Sequence, residues 1–507
     1  MKILLIDPPF MRLKGLRSLH FSLGLGYIGA VLDKAGHEVK HYNVDNCAPD
    51  ENLLDEAGEN TRMLKHHKQY HENLENGDHY IWKEVRDVID WYKPDLVGIT
   101  ILTTKFGSAL NVAQIVKNNS QKTKVIVGGP HVTALTKDVM ANDCFDYAVV
   151  GEGEKTIVEL CAMIAENKDD FSSINGIAFK KDNEVVMTQP RPLIEDINTI
   201  PSPLKGNNIF EDRFYPSNVR ANIITTRGCP FSCAFCNSKQ TWTNRVRSRS
   251  LENITAEIED LYYRFGVRRI DFWDESFTIK KSRVKELCNI LLDKNLGLKW
   301  SCTTRVDIVD DELVSVMKSA GCDIVHLGIE SGSQRILDSI NKKINLDKAA
   351  NAANIFRKHG LAFGAFFMVG FPDETEEDIR ATIEFIKKIR ATVTCFSTFT
   401  PYYGTVLFER TRQLGLISGN IDYSLYSHQS PDNYFAIKIP EKRYKELVAE
   451  MASVVDELNA SGGDRNQLKK IAVPVLKGIL NILPPTTKKK IKTIAKDLIS
   501  MHRNGNL

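Results

Sequence analysis

Thr226-Arg227-Gly228-Cys229-Pro230-Phe231-Ser232-Cys233-Ala234-Phe235-Cys236 decides the reading of the chain. It follows a short apolar run at 221–225 that reads as a strand, so its cysteines fall on the loop at that strand's carboxyl end. Their spacing is C-x3-C-x2-C. Three thiolates on one tight loop suit three irons of a cubane [4Fe–4S] cluster and leave the fourth iron open to a substrate or cofactor. Structural zinc calls for a fourth Cys or His close by, and the loop has none. Cys229, Cys233 and Cys236 are the expected metal ligands. The other seven cysteines are scattered, and ten in 507 residues make no disulfide framework.

Downstream of the cysteines, apolar runs at 269–272, 299–303, 324–329, 363–369 and 394–399 alternate with amphipathic stretches such as 251–265 and 375–390. With 221–225 they make six strand–helix units, which predicts a partial (β/α)6 barrel with its chemistry at the carboxyl ends of the strands. Upstream, runs at 3–6, 39–44, 96–99, 125–127 and 147–150 alternate with helical stretches, and Gly36 stops a helix over 24–35. That pattern predicts an α/β, Rossmann-like doubly wound parallel sheet. The polar segment 46–90 reads as a long, largely helical insertion. A hairpin is expected to turn at Lys181-Asp182-Asn183, followed by a Pro-containing linker. The expected domains are 1–160, a hairpin and linker over 161–218, a barrel over 219–410, and a helical region over 411–507.

Composition narrows the function. A net charge of +3 with 26% charged residues is too mild to imply a nucleic-acid partner. No apolar run reaches the roughly 18 to 20 residues that span a bilayer. The opening run stops at Asp7-Pro8-Pro9, which reads as a buried strand and not as a signal peptide, so a cytoplasmic protein is expected. Segment 469–503 holds nine Lys or Arg against one acid among apolar residues. It reads either as a solvated helix pair packing on the barrel or as a peripheral membrane contact, with Pro484-Pro485 breaking it in two.

The cysteine spacing, the aromatic Phe235 before the last cysteine, and the barrel-like continuation resemble the radical S-adenosylmethionine (SAM) superfamily. That resemblance implies a [4Fe–4S] cluster whose open iron chelates SAM. It also implies SAM contacts at the strand ends, from Phe235, Asp274, Glu275, Arg305, Glu330 and Ser331. Residues 1–160 resemble the cobalamin-binding module that precedes the barrel in one class of these enzymes. The matching features are the Asp-Pro-Pro turn, Leu23-Gly24-Leu25-Gly26-Tyr27-Ile28, Gly128-Gly129-Pro130-His131 and Gly151-Glu152-Gly153-Glu154. Thr103, Thr104, Gly128 and Gly129 are the implied cobalamin contacts. The D-x-H-x-x-G motif that supplies a lower-face histidine in many B12 enzymes is absent, and His131 is expected on the surface or a loop, so the resemblance implies either cobalamin without a histidine ligand or a module that has lost the cofactor. Gly24–Gly29 also fits G-x-G-x-x-G, but some fifteen residues separate it from the first strand, so close helix packing is the better reading than a dinucleotide site.

Together the two resemblances imply a cobalamin-dependent radical SAM enzyme. The commonest reaction of that class is methylation of an unactivated carbon through a 5'-deoxyadenosyl radical and methylcobalamin. Non-methylating cyclisation, oxidation or rearrangement is the alternative within the class. A non-catalytic iron–sulfur redox or cobalamin-sensing protein is the alternative outside it. The implied partners are a small-molecule or lipid substrate and an external electron donor of flavodoxin or ferredoxin type.

Overall fold

The computed structural model describes residues 1–18, 21–47, 51, 53–55, 60–203, 206–209, 220–417, 421, 423, 426–428, 430 and 432–462. Seven strands form the first sheet: β1 (Lys2–Asp7), β2 (Glu38–Asn43), β3 (Leu96–Thr100), β4 (Lys124–Gly128), β5 (Tyr147–Val149), β6 (Ile177–Lys181) and β7 (Glu184–Met187). Their order is β2-β1-β3-β4-β5-β6-β7, and the first five are parallel. In β1 the side chains alternate between two cores: Ile3 and Leu5 pack under helices Leu23–Lys34 and Gly153–Ala165, while Leu4 and Ile6 pack under Tyr80–Tyr92 and Phe106–Asn119. The strand order reverses between β1 and β3. In open sheets of this order, that switch point is where ligands bind, at the carboxyl ends of the strands.

Two features differ from the sequence reading. Helix Tyr80–Tyr92 buries Ile81, Trp82, Val85, Val88, Ile89 and Tyr92, so it is the β2-to-β3 crossover and covers the sheet. The segment looks like an insertion because its mean hydropathy is low, although most of its apolar residues are on one face. The hairpin β6–β7 turns at Asp182 and Asn183, both at positive φ, and pairs antiparallel with β5, which draws it into the first sheet. The G-x-G-x-x-G match lies inside helix Leu23–Lys34. A Cβ at Gly26 would come within 2.6 Å of the Phe21 ring, and one at Gly29 within 2.5 Å of His41. These glycines let the helix sit close to the sheet.

The second sheet runs in chain order: β8 (Arg220–Ile223), β9 (Arg269–Phe272), β10 (Lys299–Thr304), β11 (Cys322–Glu330), β12 (Ala362–Val369) and β13 (Val393–Thr398). All neighbours are parallel, and β8 and β13 are the two edges, as in an open (β/α)6 barrel. Helix Glu441–Gly462 packs on β13 and helix Glu376–Ile389, and also touches helix Asn60–Glu75 of the first domain. The basic segment 469–503 lies outside the described residues. Among the described residues no helix is long and apolar enough to cross a membrane.

Among the described residues three histidines of the first domain are buried: His41, His67 and His131. His131 is 1% exposed, which corrects its expected place on the surface. It lies on the short helix Pro130–Ala134, packed against Phe106 and Tyr423. Burial pushes each of the three down to about 4. An unfolded histidine binds a proton near pH 6.5, so this stability is complete above that pH and is lost as pH falls towards 4. Each contributes on the order of 3 kcal/mol. The melting temperature of the chain is therefore expected to fall steeply between pH 6.5 and 4.5. His41→Leu should make that slope shallower.

Candidate active site

The cysteine loop starts from a two-residue bridge, Thr226–Arg227, paired antiparallel with Arg247–Ser248. Gly228 follows at φ +104°, where a Cβ would lie 2.2 Å from the Arg245 carbonyl oxygen, so only glycine fits. The loop is then held from three sides. Ala234 N–H donates to Ile340 O at 2.8 Å, Leu407 N–H donates to Ala234 O at 3.0 Å, and Asn341 Nδ2 donates to Ser232 O at 2.7 Å. The Arg305 guanidinium lies 3.7 Å from the Phe231 ring centroid, a cation–π contact.

The three thiols are free and partly buried. Burial pushes those of Cys229 and Cys236 up. Neighbouring negative groups add to this, Glu275 and Cys233 at Cys229, while Arg305 and Lys342 pull the other way. Iron binding replaces those protons, so three soft donors on one braced loop fit a cluster. Among the described residues no three His, Cys, Asp or Glu side chains converge on one ion. A cubane does not require that, because each thiolate takes a different corner.

The strand-end residues fall into two groups. Asp274 is 2% exposed, and its carboxylate accepts from the Thr225 N–H, the Thr225 hydroxyl and the Thr226 hydroxyl, which ties β9's end to the cysteine loop's stem. Burial pushes its carboxyl up against those hydrogen bonds. Ser331 is fully buried, bonded to Thr382 and to Ser333 N–H. Arg305 pairs with Asp307 at 2.9 Å, and Glu330 with Lys342 at 2.7 Å. Glu330 takes a left-handed φ of +73°, a strain of about 1–3 kcal/mol for a residue with a side chain. Phe235 and Glu275 are only partly buried. Burial raises the Glu275 carboxyl, and Ser238 is its hydrogen-bond partner at 3.5 Å.

At the carboxyl end of the first sheet, the turns after β3 and β4 are zipped together. Ile101 N–H donates to Gly128 O at 2.8 Å, and His131 N–H to Ile101 O at 3.1 Å. Gly129, at φ +107°, leaves no room for a Cβ, which would stand 2.9 Å from Ile101 O. Leu102, Thr103, Thr104, Gly128 and Gly129 form a shelf that is exposed or half-buried, the kind of surface a flat corrin needs. Thr103 Oγ1 bonds His131 Nδ1 at 3.2 Å, and Thr104 O accepts from Tyr70. After β1 the turn is Asp7-Pro8-Pro9, with Asp7 and Asp45 both paired to the buried Lys105 at 2.7 and 3.1 Å. A cleft of about 730 Å³ lined by Met1, Lys93, Asp95 and Lys124 lies at the opposite, amino end of this sheet.

The sequence reading missed the groups that join the two ends. Arg227 donates to Glu152 at 2.7 Å and also to Glu154, and Arg247 donates to Glu152 at 2.8 Å. All four side chains are buried, and Arg227 lies between the rings of Tyr27 and Trp242. Burial pushes the Glu152 carboxyl up, but hydrogen bonds from Arg247 and Arg227 hold it below its ordinary value. Gly151-Glu152-Gly153-Glu154 was legible as a glycine-flanked helix start. Its arginine partners lie more than 70 residues away and leave no local pattern.

The fold and the site define a radical SAM enzyme of the kind that carries a B12-binding domain, and the chain belongs to that family. The radical SAM superfamily pattern matches residues 223–386, and the B12 binding domain pattern matches residues 66–161. An uncharacterized methyltransferase of Pyrococcus horikoshii is 36% identical over 330 residues, 65% of this chain and 72% of that one. The anaerobic magnesium-protoporphyrin IX monomethyl ester cyclase of Rubrivivax gelatinosus is 32% identical over 69% of this chain and 63% of its own length. The structure of the radical SAM methyltransferase TsrM from Kitasatospora setae superposes with a TM-score of 0.68 at 18% identity, covering 90% of this chain and 89% of that one. The cofactors of this class are a [4Fe–4S] cluster, SAM and cobalamin.

Two outcomes check the site. Alanine at Cys229, Cys233 or Cys236 should abolish iron–sulfide absorbance after anaerobic reconstitution, while Cys302→Ala and Cys322→Ala keep it. Arg227→Met strands the buried Glu154 carboxylate and removes one of the two arginines on Glu152, and should lower denaturant stability by about 3–5 kcal/mol.

Proposed function

We propose that the chain methylates an unactivated carbon of a small molecule held between its two domains. The observation that carries this reading is the buried Arg227–Glu152–Arg247 junction, which ties the stem of the cysteine loop to the carboxyl end of the first sheet. When bound, the reduced cluster supplies the electron that cleaves SAM to a 5'-deoxyadenosyl radical, and methylcobalamin supplies the methyl group. Cys229, Cys233 and Cys236 hold the cluster. Phe235 and Glu275 flank the approach for SAM. Asp274, Arg305, Glu330 and Ser331 act on SAM mainly by fixing the strand ends around it. Thr103, Thr104, Gly128 and Gly129 would seat the corrin beside the turn that Lys105 braces at Asp7.

The electron comes from an external donor of flavodoxin or ferredoxin type, and the enzyme works in the cytoplasm. Contact with a membrane through 469–503, to reach a lipid substrate, is the finer form of this reading and rests on the charge of that segment. The similarity to the Rubrivivax cyclase favours a second reading, a radical cyclisation without methyl transfer.

Anaerobic reconstitution with iron, sulfide and hydroxocobalamin, followed by SAM, reductant and a candidate substrate, separates the two. Methylation yields 5'-deoxyadenosine and S-adenosylhomocysteine in matched amounts. Deoxyadenosine without S-adenosylhomocysteine supports the cyclase, and neither product would contradict both.

A further inference from the structure

A buried ion pair stands beside the cysteine loop, and its Lys342 has no part in the reaction described above. Lys342 Nζ lies 2.7 Å from Glu330 Oε1, and the two side chains are 8% and 11% exposed. The same ammonium lies 6.0 Å from the ring centroid of Phe235, the residue before Cys236, and its charge acts on the Cys236 thiol. Lys342 is also tied into the loop's support, because its carbonyl accepts from Arg305 at 2.9 Å and Arg305 stacks on Phe231.

Three departures from an ordinary strand end put the pair there. The pairing of β11 with β12 slips between Gly328 and Glu330. Glu330 adopts a left-handed backbone that residues with side chains seldom take. A Cβ at Gly328 would stand 2.8 Å from Glu330 Oε1 and 3.0 Å from Lys342 Nζ, so the glycine makes the room the pair fills. A pair needed only for stability would not require a strained backbone, since apolar residues of similar volume stabilise as well or better.

We propose that Lys342 and Glu330 set the reduction potential of the cluster, a role that rests on Cys229, Cys233 and Cys236 holding it. Reduction adds one negative charge to the cluster. A buried cation nearby favours that charge and a buried anion opposes it, with little screening away from water. Joined, the two act as a dipole whose ammonium end is felt at Cys236. Separated by mutation, each leaves an uncompensated charge of opposite sign. The other charged groups around the loop are Arg305, which is paired with Asp307, and Glu275, which acts on Cys229. Neither changes in the experiment.

The test is a mediated redox titration of the reconstituted, SAM-free protein with dithionite, following the EPR signal of the reduced cluster. Lys342→Met should lower the midpoint potential, Glu330→Gln should raise it, and the double variant should return close to the unsubstituted protein. Lys342→Arg, which keeps the charge, should also stay close to it. Iron and sulfide are measured in every sample. Unchanged potentials, or single variants shifting in the same direction, with full iron content, would overturn the proposal and leave the cysteine assignment standing. If Lys342→Met loses its cluster, the opposite-sign shift in Glu330→Gln and the wild-type potential of Lys342→Arg still decide it. Failure of the unsubstituted chain to take up iron would instead overturn the cysteine assignment, and the proposal with it.

Discussion

The buried contact of Arg227 and Arg247 with Glu152 and Glu154 is the constraint on which the two-cofactor arrangement depends. Arg227 stands two residues before Cys229, and Glu152 three residues beyond β5, so each charge is close to the loop it positions. Taking these groups out of water costs several kcal/mol per ion, and their attraction does no more than offset it. Such a junction adds little net stability, but it tolerates few geometries. Two guanidiniums must meet two carboxylates, and Ile194 N–H adds to Glu152's hydrogen bonds. The junction thereby ties the first sheet to the stem of the cysteine loop.

The polar groups near both cofactor loops are mostly engaged with the protein itself. Asp274 is capped by Thr225 and Thr226, Arg305 by Asp307, Glu330 by Lys342, and Asp7 and Asp45 by Lys105. The strand ends are rigid because their charges are satisfied from within. What is left exposed or half-buried at these strand ends is softer: the three thiols, the partly buried Phe235 and Glu275, and the shelf of Thr103, Thr104, Gly128 and Gly129. That surface suits cofactors which bring their own reactive atoms and need chiefly to be held in place.

Much of this was legible in the sequence because it is local. The cysteine spacing, the alternation of strands and helices, and the hairpin at Asp182-Asn183 are all written within windows of a few to a dozen residues. Helix Tyr80–Tyr92 was read as an insertion because five of its thirteen residues are charged, and only packing shows that its other face is core. His131 was expected outside because a lone histidine after Gly-Gly-Pro carries no sign of what covers it. The cover is Phe106 together with Tyr423, almost three hundred residues later. The Arg227–Glu152 and Glu330–Lys342 pairs were illegible for a similar reason. Charges so often face solvent that only the fold reveals which are buried and matched.

The claim that the ion junction sets the cofactors' separation is tested most directly by pulsed EPR on protein loaded with cob(II)alamin and the reduced cluster. The distance between the two spins is measured in the unsubstituted chain and in Glu152→Gln. A single narrow distance that broadens or splits in the variant, with both cofactors still bound, is the predicted result. An equally narrow, unchanged distance in the variant would contradict the account.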